Sequence, residues 1–265
     1  MRELEELAIQ ESELGEAVCF RCKIPGRKLY KIGPFWIVQC PDCLQVFVSP
    51  RLNSQGVRRF YENPCYFERI YGERNRFARF LEHTWTNGRL DLIAQYLGSE
   101  KGQLLDVGCA HGLFLKAARN RGYKISGIEF SKIAAIYASK LLNIEVLHGE
   151  LERANFPKDK FDVVCFWDVL EHVPDPGLFI KTTYDILRPG GLAALSCPYF
   201  DSPFTVLQQK YPAMKPAEHI WHFTTKDLRR LLGENGFVIM RIQKNPLSRS
   251  NFNRLVSLVV IARKM

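Results

Sequence analysis

The chain has 265 residues, of which 46% are hydrophobic and 25% are charged, and its formal net charge is +9. This composition is typical of a soluble globular protein with room for one large domain and a small appendage. The longest apolar stretches, such as Leu255 to Ala262, are too short to cross a bilayer. We therefore expect no membrane-spanning segment.

The N-terminal segment is acidic. Residues 1–17 are predicted to form a short amphipathic helix or a frayed tail. They lack the basic-then-apolar order of a signal peptide, so we expect a cytoplasmic protein.

Two Cys-x-x-Cys pairs follow, with seventeen residues between them. This spacing is that of a zinc ribbon, in which tight turns bring four thiolates together on one Zn²⁺. Between the pairs, Arg27 to Ile32 and Phe35 to Gln39 are predicted strands. A metal with four protein ligands has no open position for chemistry, so the predicted Zn²⁺ is structural; the alternative is four unliganded thiols. The predicted ligands are Cys19, Cys22, Cys40 and Cys43.

Residues 51–88 are dense in Arg, Tyr and Phe, and form a predicted connector. Helical periodicity covers Arg76 to Glu82, and a second helical stretch runs from Arg89 to Tyr96. Such a segment could cover a ligand cleft as a lid, or simply pack between domains. Cys65 lies here without an assigned role.

From residue 102 onward, predicted strands and helices alternate, which indicates an α/β fold. Pro189-Gly190-Gly191 is predicted to close one helix and start a strand. The last two strands are joined by a polar loop and should pair antiparallel at the sheet edge. The predicted strands are 103–107, 124–129, 144–148, 161–167, 191–196, 236–243 and 254–262, and the helices 112–121, 131–141, 175–187 and 224–235.

The turn after the first of these strands carries the strongest signal. Gly108-x-Ala110-x-Gly112 brings backbone close to a ligand, and Leu113 stands where a dinucleotide fingerprint needs its last glycine. An acid, Glu129, follows 21 residues after Gly108, where it could accept both hydroxyls of a ribose. The alternative is a structural turn without a ligand.

This turn resembles the first motif of class I S-adenosylmethionine (SAM) dependent methyltransferases, with Ala110 in place of the usual middle glycine. Three later segments in the family's order extend the resemblance over about residues 89–265. These segments are 161–175, 187–191 and 219–228. The first of them resembles the matching segment of the small-molecule, ubiquinone-biosynthesis-like branch of the family. The resemblance implies a Rossmann-like, seven-stranded sheet with one antiparallel strand, here beside a small N-terminal zinc ribbon.

Carried over to this chain, the family pattern implies a SAM site. Asp106 would accept a hydrogen bond from the ammonium group of SAM or hold the turn in shape, and Glu129 would bind the ribose hydroxyls. Glu150 and Leu151 would flank the adenine, although the family usually has Asp-Ala there. Arg89 would hold the carboxylate of SAM. The predicted cofactor residues are Arg89, Asp106, Gly108, Cys109, Ala110, Gly112, Glu129, Phe130, Glu150, Leu151, Trp167 and Asp168.

Three histidines are candidates for catalysis. A hydroxyl acceptor needs a base, and His172, which follows the fourth strand, is the first candidate, with His219 and His222 as further ones. His172 could instead cap the following segment, and His222 could simply be packed. Tyr199 and the 200–218 loop are expected to shape the acceptor pocket. Cys109, Cys165 and Cys197 are expected to be buried apolar residues.

These observations predict a SAM-dependent methyltransferase acting on a small-molecule or sugar-linked acceptor, expected at oxygen. The expected division is 1–50 (tail and ribbon), 51–88 (connector) and 89–265 (methyltransferase domain). Basic stretches at 51–89 and 241–265 leave two alternatives open. One is an RNA or protein methyltransferase that uses the ribbon for recognition, and the other is an inactive adaptor with the same fold. The sequence does not indicate an oligomeric state.

Overall fold

A computed structural model describes residues 9–63, 76–98, 101–200, 214–248 and 255–265. Cys65, the first eight residues and most of the 200–218 loop lie outside the described residues. The strands are β1 (Leu14–Gly15), β2 (Arg27–Ile32), β3 (Phe35–Gln39), β4 (Val46–Val48), β5 (Arg51–Leu52), β6 (Gln103–Val107), β7 (Lys124–Glu129), β8 (Val146–His148), β9 (Phe161–Trp167), β10 (Leu187–Pro198), β11 (Trp221–His222), β12 (Phe237–Ser248) and β13 (Leu255–Lys264).

Six α-helices connect these strands within the described ranges. They are α1 (Ser54–Glu62), α2 (Arg76–Leu97), α3 (Leu113–Asn120), α4 (Lys132–Leu142), α5 (Pro176–Ile186) and α6 (Thr225–Glu234). Their starts follow from side chains that bind free backbone N–H groups: Ser131 caps α4, Asp175 caps α5 ahead of a proline, and Thr224 caps α6.

The large sheet has the order β12-β13-β10-β9-β6-β7-β8, and β13 is its one antiparallel strand. This confirms the predicted seven-stranded fold. The chain moves outward from β6 to β7 and β8, then returns to β9 on the other side of β6. The edge beside β6 is therefore the topological switch point, where ligands of open α/β sheets bind.

A second sheet, β11-β4-β3-β2, contains the two ribbon strands that the sequence predicts. Its fourth strand, β11, comes from far along the chain. We call residues 17–48 the ribbon. Phe20, Val38 and Phe47 of the ribbon share one buried cluster with Phe166 and Phe179. Ribbon and large sheet are thus packed on a common core, while the predicted division at residues 50 and 88 stays a prediction.

The structure corrects three predicted elements. Residues 9–17 contain no α-helix: a three-residue 3₁₀ helix, Glu11–Glu13, leads into β1, and buried Glu13 pairs with Arg59 at 2.5 Å. The two predicted helical stretches, 76–82 and 89–96, belong to one helix, α2, which runs across the predicted end of the connector. Strand β10 starts at Leu187 rather than 191, because Leu187 already pairs with Phe161 before an irregularity in register.

Candidate functional site

The glycine turn after β6 adopts left-handed backbone at three positions. The φ angles are +69° at Gly108, +52° at Ala110 and +81° at Gly112. A side chain at Gly108 would place its Cβ 2.6 Å from a methyl carbon of Val169, so only glycine fits. Ala110 carries a strain of about 1–2 kcal/mol in this conformation. Its N–H donates to Glu129 Oε2 at 2.8 Å, which compensates for part of that strain.

Glu129 holds the turn from the end of β7. Its Oε1 accepts from the N–H of Ser131 at 2.8 Å, and its Oε2 accepts from Ala110. Burial raises the pKa of the carboxyl, and the backbone N–H groups of Ser131, Ala110 and Phe130 oppose this shift. Each carboxylate oxygen has a second lone pair, so the group can also accept from a ligand hydroxyl.

Asp106 lies buried at the same edge, in β6. Its Oδ1 has no hydrogen-bond partner among the described residues. Burial raises the pKa of Asp106 well above its usual value; the charge of Arg89 lowers it, and that of Glu129 raises it further. A buried acceptor without a partner calls for a ligand donor such as an ammonium group. We call residues 106–112 with Glu129 the cradle.

Arg89, Trp167 and Asp168 meet at the other side of β6. The guanidinium carbon of Arg89 lies 4.5 Å from the centre of the Trp167 ring. Its Nη2 lies 3.4 Å from Asp168 Oδ2 and 3.5 Å from Ser196 Oγ. These are long contacts, which leave the guanidinium able to bind an anionic group as well.

The remaining predicted cofactor residues are Cys109, within the cradle, and Phe130, Glu150 and Leu151, which follow strands β7 and β8. Cys109 is buried in the turn, and Leu151 is buried after β8. Glu150 pairs with exposed Arg153 at 3.1 Å, so an adenine contact would compete with this ion pair. The assignment of these residues to SAM stays a prediction.

A second group of polar side chains includes Tyr61, which contacts Phe130, and two of its members, Tyr61 and Glu171, are not predicted as site residues from the sequence. Asn53 caps α1, and near the end of this helix Tyr61 packs on Phe130 with ring centres 5.4 Å apart. The Tyr61 hydroxyl lies 3.1 Å from His172 Nδ1. The ring of His219 meets that of His172 edge-on at 4.9 Å.

Glu171 completes this group, although its carboxylate makes no hydrogen bond among the described residues. His172 Nε2 lies 3.8 Å from Glu171 Oε1, too far for a hydrogen bond. Burial lowers the pKa of His172 to about 4 and raises that of Glu171 well above its usual value. Burial thus disfavours the charged form of both groups, and His172 is neutral at pH 7. We call Tyr61, Glu171, His172 and His219 the acceptor-side cluster.

Three members of this cluster could also hold a cation. Ligand atoms of Glu171, His172 and His219 all lie within 4.8 Å of one another. One carboxylate and two imidazoles suit a divalent metal. This set is hard to find in the sequence because His219 follows His172 by 47 residues.

His222 is not part of that cluster in the described contacts. It lies in β11, 4% exposed, with its ring 5.1 Å from that of Phe200. Its Nε2 has no hydrogen-bond partner among the described residues. Burial lowers the pKa of His222 to about 4. Of the three predicted catalytic histidines, the structure thus brings together only His172 and His219.

The four ribbon cysteines form the other candidate site, and their sulfur atoms lie within 4.8 Å of one another. Burial raises the pKa of Cys19 to about 11 and that of Cys22 to about 12. For Cys43, burial is outweighed by the N–H of Gln45 and the neighbouring thiols, so its pKa is lowered. Several thiolates this close need a positive charge between them, and the set therefore fits a tetrahedral Zn²⁺.

Comparison with known proteins matches the model of a family described as "Methyltransferase domain" to residues 77–242. A ubiquinone biosynthesis O-methyltransferase from Alkalilimnicola ehrlichii is 37% identical over 111 residues, which are 39% of this chain and 44% of that protein. The match therefore spans less than half of the curated relative.

Solved structures share the fold. A SAM-dependent methyltransferase from Methanosarcina mazei aligns with a TM-score of 0.58 and 22% identity, over 66% of this chain and 97% of its own. The [4+2]-cyclase SpnF aligns with a TM-score of 0.55 and 17% identity, over 68% and 80%. Because a cyclase has this fold as well, the fold by itself does not determine the reaction.

The described residues include no helix with both the length and the apolar character of a membrane-spanning segment.

The buried His222 predicts acid sensitivity. Its folded pKa of about 4 lies below the ordinary value of 6.5, so the unfolded chain binds the additional proton as the pH falls through this window. Between pH 7 and pH 5 the histidine should reduce the free energy of unfolding by about 2 kcal/mol. Urea denaturation at both pH values should show that His222→Gln loses less unfolding free energy between pH 7 and pH 5 than the wild type does. Exposed His148→Gln is the control, and equal losses in wild type and His222→Gln would refute the assignment.

Proposed function

Because this chain belongs to the class I SAM-dependent methyltransferase family, we propose that it transfers the methyl group of SAM to a hydroxyl of a small-molecule or sugar-linked acceptor. The observation that carries this proposal is the position of the acceptor-side cluster. Tyr61 contacts Phe130, directly after Glu129 of the cradle, and reaches His172 through its hydroxyl. A donor in the cradle and an acceptor beside the cluster would be neighbours.

The cradle and Arg89 together have the chemistry that SAM requires. Asp106 offers a buried oxygen to the ammonium group, Glu129 accepts from ribose hydroxyls, and Arg89 binds the carboxylate. When bound, SAM supplies an electrophilic methyl group. The chain has to align the acceptor oxygen with it and remove the hydroxyl proton.

His172 is the proposed proton acceptor. Its pKa of about 4 keeps the imidazole neutral at physiological pH, with a nitrogen that can take a proton. The same low pKa makes it a weak base, so proton transfer is easiest from an acidic hydroxyl such as a phenol or enol. Tyr61 fixes the ring orientation through Nδ1. The name of the Alkalilimnicola ehrlichii relative, an O-methyltransferase, also supports oxygen as the acceptor atom.

The alternative of an RNA or protein methyltransferase rests on the ribbon and the basic stretches. The ribbon places Phe20 and Phe47 in the same buried cluster as the large sheet. This packing favours a scaffold role for the ribbon over a role as a separate recognition module. We propose that Cys19, Cys22, Cys40 and Cys43 hold one structural Zn²⁺ there.

Binding of the product S-adenosylhomocysteine tests the cradle. Calorimetry should give a micromolar dissociation constant for wild type. Gly108→Ala should weaken it at least tenfold, because the new Cβ meets Val169 at 2.6 Å in a left-handed conformation. Gly88→Ala, in an exposed turn of α2 with no atom within 4 Å, is the matched control. Absence of binding to wild type would favour the inactive adaptor.

Transfer of a labelled methyl group tests the acceptor class. We expect label in phenols more than in aliphatic alcohols, nucleotide sugars or RNA. His172→Gln should lower kcat by about 10²-fold, the usual contribution of a general base, and leave S-adenosylhomocysteine affinity unchanged. His148→Gln is the control. Assays with and without a chelator test whether Glu171, His172 and His219 bind a metal cation that the reaction needs. Labelling of RNA alone would overturn the small-molecule proposal.

Metal analysis tests the ribbon. The purified chain should contain one zinc, and Cys40→Ser should lose it, because a hydroxyl is a poor zinc ligand. Cys165→Ala, at a buried cysteine of β9, should retain the metal. Zinc that survives in Cys40→Ser would contradict a four-cysteine site.

A further inference from the structure

The ribbon and the acceptor-side cluster are joined through strand β11. Trp221 pairs with Phe47 and His222 with Val46, so a two-residue strand next to the cluster is bound to β4 of the ribbon. The N–H of Val48 donates to the carbonyl of Ile220 at 3.0 Å and extends this pairing towards His219.

Gln45 connects the second cysteine pair to the same strand. Its side chain is completely buried, and its Nε2 donates to the carbonyl of His222 at 2.7 Å. Its own backbone belongs to the cysteine turn: its carbonyl accepts from Cys40 N–H at 2.9 Å, and its N–H points at the Cys43 thiol. A shift of this turn would therefore move the β11 backbone.

Trp221 provides a second connection between the ribbon and β11. Its ring lies 5.0 Å from Phe20 and 5.4 Å from Phe47. Its Nε1 donates to the carbonyl of Val173 at 2.8 Å. The carbonyl of Glu171 accepts from the N–H groups of Ile220 and Trp221 at 2.9 and 3.2 Å. Residues 171–173 and 220–222 thus form one hydrogen-bonded unit that rests on the ribbon.

The cradle has no such polar link to the ribbon, although its Val107 lies in the same buried apolar cluster as Phe20, Val38 and Phe47. Within the described ranges, no hydrogen bond, ion pair or ring contact joins residues 17–48 to residues 106–112. The ribbon's polar contacts with the large domain go to β11, to Asp175 at the start of α5, to Glu234 at the end of α6 and to Met214.

From this asymmetry we infer that the ribbon is a positioning element for the acceptor side alone, with Gln45 as the residue that transmits the geometry of the metal-held turn to His219 and Glu171. The inference builds on the proposed function. Loss of the Gln45 contact, or of zinc, should loosen the acceptor-side cluster and leave the SAM cradle intact.

Hydrogen exchange measured by mass spectrometry tests this inference without an acceptor. In zinc-loaded Gln45→Leu, amides of 219–222 and 171–173 should exchange about tenfold faster, because a buried carbonyl loses its partner. Amides of 104–112 should exchange at the wild-type rate. Gln39→Leu is the matched control: Gln39 Nε2 donates to Leu44 within the same turn at 3.1 Å and does not contact β11.

Three further readouts separate positioning from folding and from the proposed function. Zinc content of Gln45→Leu should remain one per chain, and S-adenosylhomocysteine affinity should stay within twofold of wild type. With a phenolic acceptor, KM for the acceptor should rise while KM for SAM is unchanged. Failure of the wild type to bind S-adenosylhomocysteine would overturn the proposed function. The exchange pattern would still decide whether the ribbon positions the acceptor-side cluster.

Two results would overturn the inference: wild-type exchange at 219–222 in Gln45→Leu, or equally fast exchange at 104–112. If Gln45→Leu does not fold, Trp221→Phe replaces it, because this variant keeps an aromatic ring in the buried cluster while it shortens the ring system and removes the donor to Val173. Trp36→Phe, at a ribbon tryptophan in β3, which β4 separates from β11, is then the control. The same two exchange patterns decide the outcome.

Discussion

The parallel pairing of β6 with β7 on one side and β9 on the other is the constraint on which the site depends. Asp106 stands opposite Gly127 and Cys165 in this register, so the carboxyl ends of three strands meet at one edge. Backbone that leaves this edge has to turn sharply, and the left-handed residues 108–112 make that turn possible. The cradle is therefore a consequence of the topology, and its glycines are a steric requirement.

Burial at this edge gives the cradle its electrostatic character. Burial raises the pKa values of Asp106 and Glu129, and the charge of Glu129 raises that of Asp106 further. Arg89 is the cation whose charge lowers the pKa of Asp106. A ligand that brings positive charge close to both acids would relieve their repulsion and satisfy the orphaned Asp106 oxygen. The sulfonium and ammonium groups of SAM, the proposed ligand, would bring such a charge.

Local patterns explain why much of the fold is predictable. Strands β6, β7 and β9 are short apolar runs bounded by charged residues and glycine, and their predicted bounds agree with the structure. The start of β10 is not predictable, because Pro189 and Gly190 look like a turn and only pairing with Phe161 extends the strand. Tyr61 and Gln45 are missed for a similar reason: each acts through a partner more than 100 residues away, His172 and His222.

The cradle and the acceptor side differ in how far apart in the sequence their residues lie. The cradle is built from residues 106–129, within one strand-helix-strand unit whose geometry is fixed by local pairing. The acceptor side combines α1, the end of β9 and the two-residue β11, and none of these is held in place by its immediate neighbours in sequence. A strand of two residues gains too little from its own hydrogen bonds to offset the entropy of ordering it. Its position must therefore come from β4 and the buried ring of Trp221, so the ribbon belongs to the architecture of the acceptor side.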